Sequence, residues 1–141
     1  MAKATGAKSK AQLLAELEKV IGADLPADYR AFMSTFDGKL PQDRSFKVRR
    51  DYWDELNALW PLKGQHRSVA GGWGLLNDKE AHLLVVGDDG SGNWICLAIR
   101  GPDRGKVFFV DQDYSPGERQ RVVQLADSFD RFMAALKPPA A

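Results

Sequence analysis

Apolar positions along this chain alternate between helical and strand spacing. Leu13, Leu14, Leu17, Val20 and Ile21 recur three and four residues apart, as on one helical face. Ahead of them, Ser9 followed three residues later by Gln12 has the form of a capping box, and Gly22 stands where such a helix would stop. A second helix is predicted from Leu25-Pro26, because proline suits a first helical turn and Asp28 complements the positive end of the helix dipole. Its stripe is Tyr29, Phe32, Met33 and Phe36, and Asp37-Gly38 closes it. Ser45 to Arg50 then alternates Phe46 and Val48 with charged neighbours, the period of a half-exposed strand. Tyr52, Leu56, Leu59 and Trp60 return to helical spacing, with Asp51 as a cap and Pro61 as a stop, so a short helix is expected there. Leu62 to Glu80 mixes Gly71, Gly72 and Gly74 with Trp73, Leu75 and Leu76, and reads as a packed connection or one irregular strand.

Three apolar runs follow: His82 to Gly87, Trp94 to Arg100 and Lys106 to Val110. The turn-rich pieces between them, Asp88 to Asn93 and Gly101 to Gly105, hold glycines that permit the positive backbone angles of tight reversals. An antiparallel meander is predicted. Ile95, Leu97 and Ile99 alternate with Trp94, Cys96 and Ala98, so both faces of the middle strand are apolar and both must be covered. Arg119 to Val123 reads as a short edge strand. Asp127 or Ser128 caps a last helix with the stripe Phe129, Phe132, Met133 and Leu136, which Pro138-Pro139 ends. The predicted fold class is α+β, with helices flanking a mainly antiparallel β-sheet in a single domain over residues 11–137. A disordered basic tail is expected over residues 1–10 and a short tail over 138–141, since small and basic residues bury too little to offset the entropy of ordering.

Composition narrows the chemistry. A chain of 141 residues is the size of one domain that needs no disulfide or structural metal. Cys96 is the single cysteine and His66 and His82 are the only histidines, so a Cys-based zinc site and an internal disulfide are excluded. With 20 Lys and Arg against 19 Asp and Glu the formal charge is +1, which is not the clustered basic excess of a nucleic-acid binder. The apolar runs are far shorter than the roughly 18 residues of a membrane span, and no apolar stretch of signal-peptide type follows the first lysines. A cytoplasmic protein is expected.

Three segments together resemble the SUKH superfamily, which includes fungal cell-wall-assembly regulators and bacterial immunity proteins of polymorphic toxin systems. Leu25-Pro26-Ala27-Asp28-Tyr29-Arg30-Ala31-Phe32 with Asp37-Gly38 is similar to its early helix motif. Gly87-Asp88-Asp89-Gly90-Ser91-Gly92-Asn93-Trp94-Ile95-Cys96-Leu97, continued by Gly105 to Asp113, resembles its glycine-rich hairpin, and Leu125 to Phe132 its closing helix. The resemblance implies an α+β fold and binding in place of catalysis: an immunity protein that neutralises a cognate bacterial toxin, a nuclease being the first candidate. A regulatory or scaffold module that binds an endogenous protein, as in the fungal branch, is the alternative. Members that block basic nucleases tend to be acidic, whereas this chain is near neutral, and Lys39 to Glu80 matches no part of the pattern.

Each candidate residue has an ordinary structural reading beside the functional one. Cys96 with His66 or His82 is formally a nucleophile–base pair for a small hydrolase, but a mid-strand thiol in an apolar run is ordinarily a buried hydrophobe. The Gly87 to Asn93 loop lacks the lysine and hydroxyl of a phosphate loop, joins strands without opening a helix, and has Gly90 and Gly92 where a calcium loop needs oxygen ligands. Lys3, Lys8 and Lys10 attract polyanions only weakly. No catalytic, cofactor or metal site is expected, and neither a membrane nor direct nucleic-acid contact. Meander geometry places Asp88 and Asp89 at the same sheet end as Asp111 and Asp113, with Asn93 and Tyr114 beside them, and Arg100, Arg104 and Lys106 at the other. Those six acidic-end residues, and Trp73 among its glycines, are the candidate contacts for a basic toxin surface. The competing reading has the same side chains fixing the hairpins by local hydrogen bonds. Oligomeric state stays open.

Overall fold

The computed structural model describes residues 8–64, 67–76 and 78–139. Helix α1 (Lys10–Ile21) opens on Ser9, whose hydroxyl accepts the Gln12 amide at 3.1 Å while the Gln12 side chain accepts the Ser9 amide at 2.8 Å. It ends at Gly22, whose φ of 72° only glycine adopts without strain. Of the basic tail expected over residues 1–10, residues 1–7, Lys3 included, lie outside the described residues. Lys8 pairs with Glu16, and Lys10 is the first residue of α1, its ammonium donating to the Phe36 carbonyl. Helix α2 (Ala27–Thr35) starts directly after Pro26, and the Leu25 amide just ahead of it is held by Glu18 of α1 at 2.8 Å.

Seven strands follow among the described residues. β1 (Ser45–Arg49) and β2 (Tyr52–Glu55) form a separate antiparallel hairpin. β3 (Ala58–Leu59), β4 (Leu83–Asp88), β5 (Trp94–Ala98), β6 (Val107–Val110) and β7 (Val122–Ala126) form one antiparallel sheet in the order β3-β4-β5-β6-β7. Between β3 and β4 lie helix α3 (Val69–Gly72), capped by Ser68, and a 3-10 turn at Asp78–Glu80. Helix α4 (Phe129–Ala134) ends the fold, with Ser128 accepting the Arg131 amide at 3.1 Å. The α+β class and the central meander stand as the sequence predicts.

Two local expectations are corrected, and a choice left open by the sequence is decided. The helix expected from Asp51 to Trp60 is β2 and β3: Phe46 and Tyr52 both place their rings 6.0 Å from Phe109, and strand pairing with β1 supersedes the helical spacing. Leu62 to Glu80 contains no strand among its described residues. It is a packed connection built on α3, tied by the Val69 and Ala70 amides to the carbonyls of Pro61 and Leu62. The edge strand read over Arg119 to Val123 is instead Val122–Ala126, because Arg121 is withdrawn into the interior.

Both faces of the central strands are covered. On one, Ile95 and Leu97 lie opposite Phe109 and Val107, under an aromatic layer in which Phe46 meets Phe132 at 5.6 Å. Tyr29 and Phe32 each reach Phe129 at 5.0 Å, locking α2 to α4. On the other, Cys96 lies near the buried ion pair of Glu80 and Arg121, which meet at 2.8 and 3.2 Å in fork geometry. Arg121 also donates to the Tyr114 carbonyl at 2.9 Å, so one guanidinium ties the 3-10 turn to the β6–β7 loop.

Two stability predictions follow. Arg121→Met leaves the Glu80 carboxylate buried without its guanidinium, and we expect a loss of about 3–5 kcal/mol in urea unfolding. Tyr29→Phe should be neutral or gain about 1 kcal/mol in the same assay, because the Tyr29 hydroxyl is fully buried with no hydrogen-bond partner among the described residues.

Candidate protein-binding face

The β4–β5 turn organises one end of the sheet. Its glycines, Gly90 and Gly92, take φ of 80° and 98°, so the chain reverses within a few residues and its aspartates turn inward. Asp88 is buried, and its carboxylate accepts from Trp60 Nε1 at 2.7 Å, Asn57 Nδ2 at 3.0 Å and the Gly90 amide at 2.8 Å. Close approach of β3 makes this possible. A Cβ on Gly87 would stand 2.6 Å from the Ala58 carbonyl, so only glycine admits the strand that Asn57 and Trp60 flank. Asp89 accepts from the amides of Ser91 and Asn93 and from Asn93 Nδ2, at 2.8, 3.0 and 2.8 Å. Asn93 in turn accepts the Gln112 amide at 2.8 Å, which joins this turn to the loop after β6.

Asp111 begins that loop. It is buried, accepts the Asp113 amide at 3.0 Å and pairs with Arg49 of β1 at 3.3 Å. Arg49 also donates to the Gln120 carbonyl, with its guanidinium carbon 5.9 Å from the ring centre of Tyr52 and 5.5 Å from that of Tyr114. Asp88, Asp89, Asn93, Asp111, Asp113 and Tyr114 are thereby gathered at one end of the sheet. Trp73 is not with them. It lies at the opposite end, where the Arg100 guanidinium carbon sits 5.9 Å from its ring centre.

The gathering is not an open row of four free carboxylates. Asp88 and Asp111 are buried and fully engaged, and Arg49 enters among them. The cations of the opposite end are likewise used internally: Arg100 donates to the Ile21 carbonyl, Arg104 to that of Asp24 at 2.9 Å, and Lys106 pairs with Asp103 at 3.3 Å. Asp113 is exposed and Asp89 and Tyr114 are partly so. Asp54 of β2 joins them, unforeseen because its segment read as helix. Tyr52-Trp53-Asp54-Glu55 carries no apolar–polar alternation, so no local signal marks it as strand.

Asp54 and Asp89 share a hydrogen bond between their carboxyl groups. Burial, then that bond, raises the pKa of Asp54 to about 7. Asp89 is lowered: burial opposes this, but the bonds from Asp54, Asn93 and the amides of Ser91 and Asn93 outweigh it. Tyr52, which donates to Asp54 at 3.2 Å, is pushed up to about 12 by burial first and by Asp54 second. The pair thus holds one proton at mildly acidic pH.

No group of three His, Cys, Asp or Glu among the described residues is placed to hold a metal ion. Burial raises the Cys96 thiol far above its ordinary range, so it is not a ready nucleophile. His66 lies outside the described residues.

A proton retained by Asp54 makes stability fall as pH rises. The unfolded chain releases it near pH 4 and the folded chain near 7, so between those values the unfolded state binds fewer protons. We expect urea midpoints to decline from about pH 4 to about pH 7 and then level. Asp54→Asn keeps a donor toward Asp89 without the titration, and should remove most of this slope.

The comparisons with known proteins agree with this architecture. No solved structure matches the chain. A relative, the SPbeta prophage-derived uncharacterized protein YokK of Bacillus subtilis (strain 168), is 27% identical over an alignment covering 87% of this chain and 72% of its own. No helix among the described residues is long and apolar enough to cross a membrane. The model of the SMI1 / KNR4 family (SUKH-1) matches residues 8–135, which spans every helix and strand of the fold except the last edge of the Ser45–Lys137 bridge, and the chain belongs to that family.

Proposed function

We propose that this chain is an immunity protein, acting in the cytoplasm, that binds a cognate bacterial toxin domain and blocks it without chemistry of its own. The observation that carries the reading is the sheet end itself. Asp54, Asp89 and Asp113 sit there without an ion-pair partner among the described residues, next to Tyr52 and Tyr114, and a hydrogen-bonded network fixes Asp54 and Asp89 beside the exposed Asp113. Carboxylates and tyrosines on a preorganised surface suit a basic protein face, since little side-chain freedom is lost on docking and the charges steer encounter. Family membership and a prophage-derived relative support a role in conflict between bacteria or with their phages. A nuclease toxin is the first candidate, because its nucleic-acid-binding surface is basic.

The test is co-expression with any toxin candidate found encoded alongside this chain. Restored growth, and a purified complex in which toxin activity is lost, are expected. Asp113→Lys, an exposed substitution outside the turn network, should slow association and flatten its salt dependence. Capture of only housekeeping proteins, with no protection from any neighbouring toxin, would overturn the immunity reading in favour of a regulatory or scaffold module.

A further inference from the structure

A cleft of about 510 Å³ opens beside the β4–β5 turn, between that turn and α3. Trp60, Leu75 and Trp94 supply its apolar surface, and Leu75 is 53% exposed although it is a large aliphatic side chain. Gly71, Gly72, Gly90 and Gly92 leave the remaining wall as bare backbone. At Gly72 a Cβ would stand 2.8 Å from the Trp60 ring, so the opening depends on that glycine.

Two charged residues among those described line the cleft, and they differ. Asp88 is buried, with its carboxylate already bound by three donors. Arg67 is exposed and makes no hydrogen bond or ion pair among the described residues. Its φ of 47° makes it the one non-glycine residue among those described with a left-handed backbone, a strained conformation that is retained where geometry serves a function. Asp88 keeps its charge but its oxygens are taken up by neutral internal donors, so the charged group that an occupant can contact directly is the Arg67 guanidinium, beside indole rings and an exposed leucine. Such a lining matches a carboxylate flanked by apolar surface: the guanidinium takes the carboxylate in fork geometry and the rings take the neighbouring side chain.

We propose that this cleft is a recognition pocket for an acidic side chain that a partner protein presents next to an aromatic or aliphatic one, with Arg67 as the anion contact. The identity of the partner rests on the protein-binding reading above, but the pocket is testable without it. Gly90 and Gly92 border the cleft while Asp89 between β4 and Gly90 belongs to the acidic network, so one turn separates a pocket for an anion from a surface for cations. A partner must then match both signs in one orientation, which fixes register as well as encounter.

The probe is acetyl-Phe-Asp-amide, titrated into the full 15N-labelled chain and followed by NMR, with acetyl-Phe-Asn-amide and sodium acetate at matched ionic strength as comparisons. Saturable shifts are expected at the Trp60 and Trp94 indole N–H groups and the Gly90 and Gly92 amides. Affinity for the Asn peptide should be about tenfold weaker, as for a lost charge-assisted hydrogen bond. Arg67→Gln should bring the Asp peptide down to the Asn level, and Leu75→Ser should weaken both. These side chains are exposed, so an otherwise unchanged spectrum verifies the fold. Equal affinity for the two peptides, shifts reproduced by acetate alone, or no saturable shift would overturn the proposal. A toxin complex indifferent to Arg67→Gln and Leu75→Ser would also overturn it while leaving the immunity reading intact. Selective binding of the Asp peptide without any toxin partner would uphold the pocket and leave the immunity reading to fail alone.

Discussion

Everything in this fold answers to the two apolar faces of β4, β5 and β6. A sheet that is polar on one side can rest that side on water, but Ile95 and Leu97 on one face and Cys96 and Phe108 on the other are all buried. At roughly 25 cal/mol for each Å² of apolar surface removed from water, neither face can be left open. The chain meets this with two different covers. One is an aromatic layer from the β1–β2 hairpin, α2 and α4. The other is the irregular stretch through α3 and the 3-10 turn, which has no regular ladder of its own and is fastened by the Glu80–Arg121 pair.

The same constraint explains why the acidic residues behave as they do. A sheet covered on both sides exposes polar groups only at its ends, and the ends are where backbone turns leave amides without strand partners. Asp88, Asp89 and Asp111 fill that need, each accepting from an amide two residues on. The bonds of Asp88 to Trp60 and of Asp111 to Arg49, with that of the Gln112 amide to Asn93, bring β3, the β1–β2 hairpin and the loop after β6 to one place. Of the two readings weighed for these side chains, local fastening describes Asp88, Asn93 and Asp111. Asp54, Asp89 and Asp113 keep the exposure that a partner would need. Fastening and recognition are compatible here, because a surface held by its buried members presents its exposed members without loss of order.

Legibility followed the range of the forces involved. The capping box at Ser9, the cap at Ser128, the stop at Gly22 and the three central strands were readable because each rests on residues a few positions apart. The segment from Tyr52 to Leu59 was misread because its spacing fits a helix when considered alone, and only pairing with Ser45–Arg49 and the Tyr52–Phe109 contact decide for strand. Asp54 was lost with it. Trp73 stands among glycines in the sequence, yet its surroundings are set by Arg100, 27 positions away in sequence and at the other end of the sheet.

By itself, then, the sequence determined the class of the fold, the antiparallel meander, the burial of Cys96 and the end of the sheet at which acidic residues collect. Period, turn chemistry and chain direction are local properties, and they leave little choice in these. Which carboxylates are consumed and which are offered was decided only by tertiary structure. That outcome depends on Arg49 crossing from β1 to Asp111, on β3 drawing Trp60 onto Asp88, and on β2 setting Asp54 against Asp89. Each is a contact between segments distant in sequence, whose energies depend on burial and distance that no local pattern encodes.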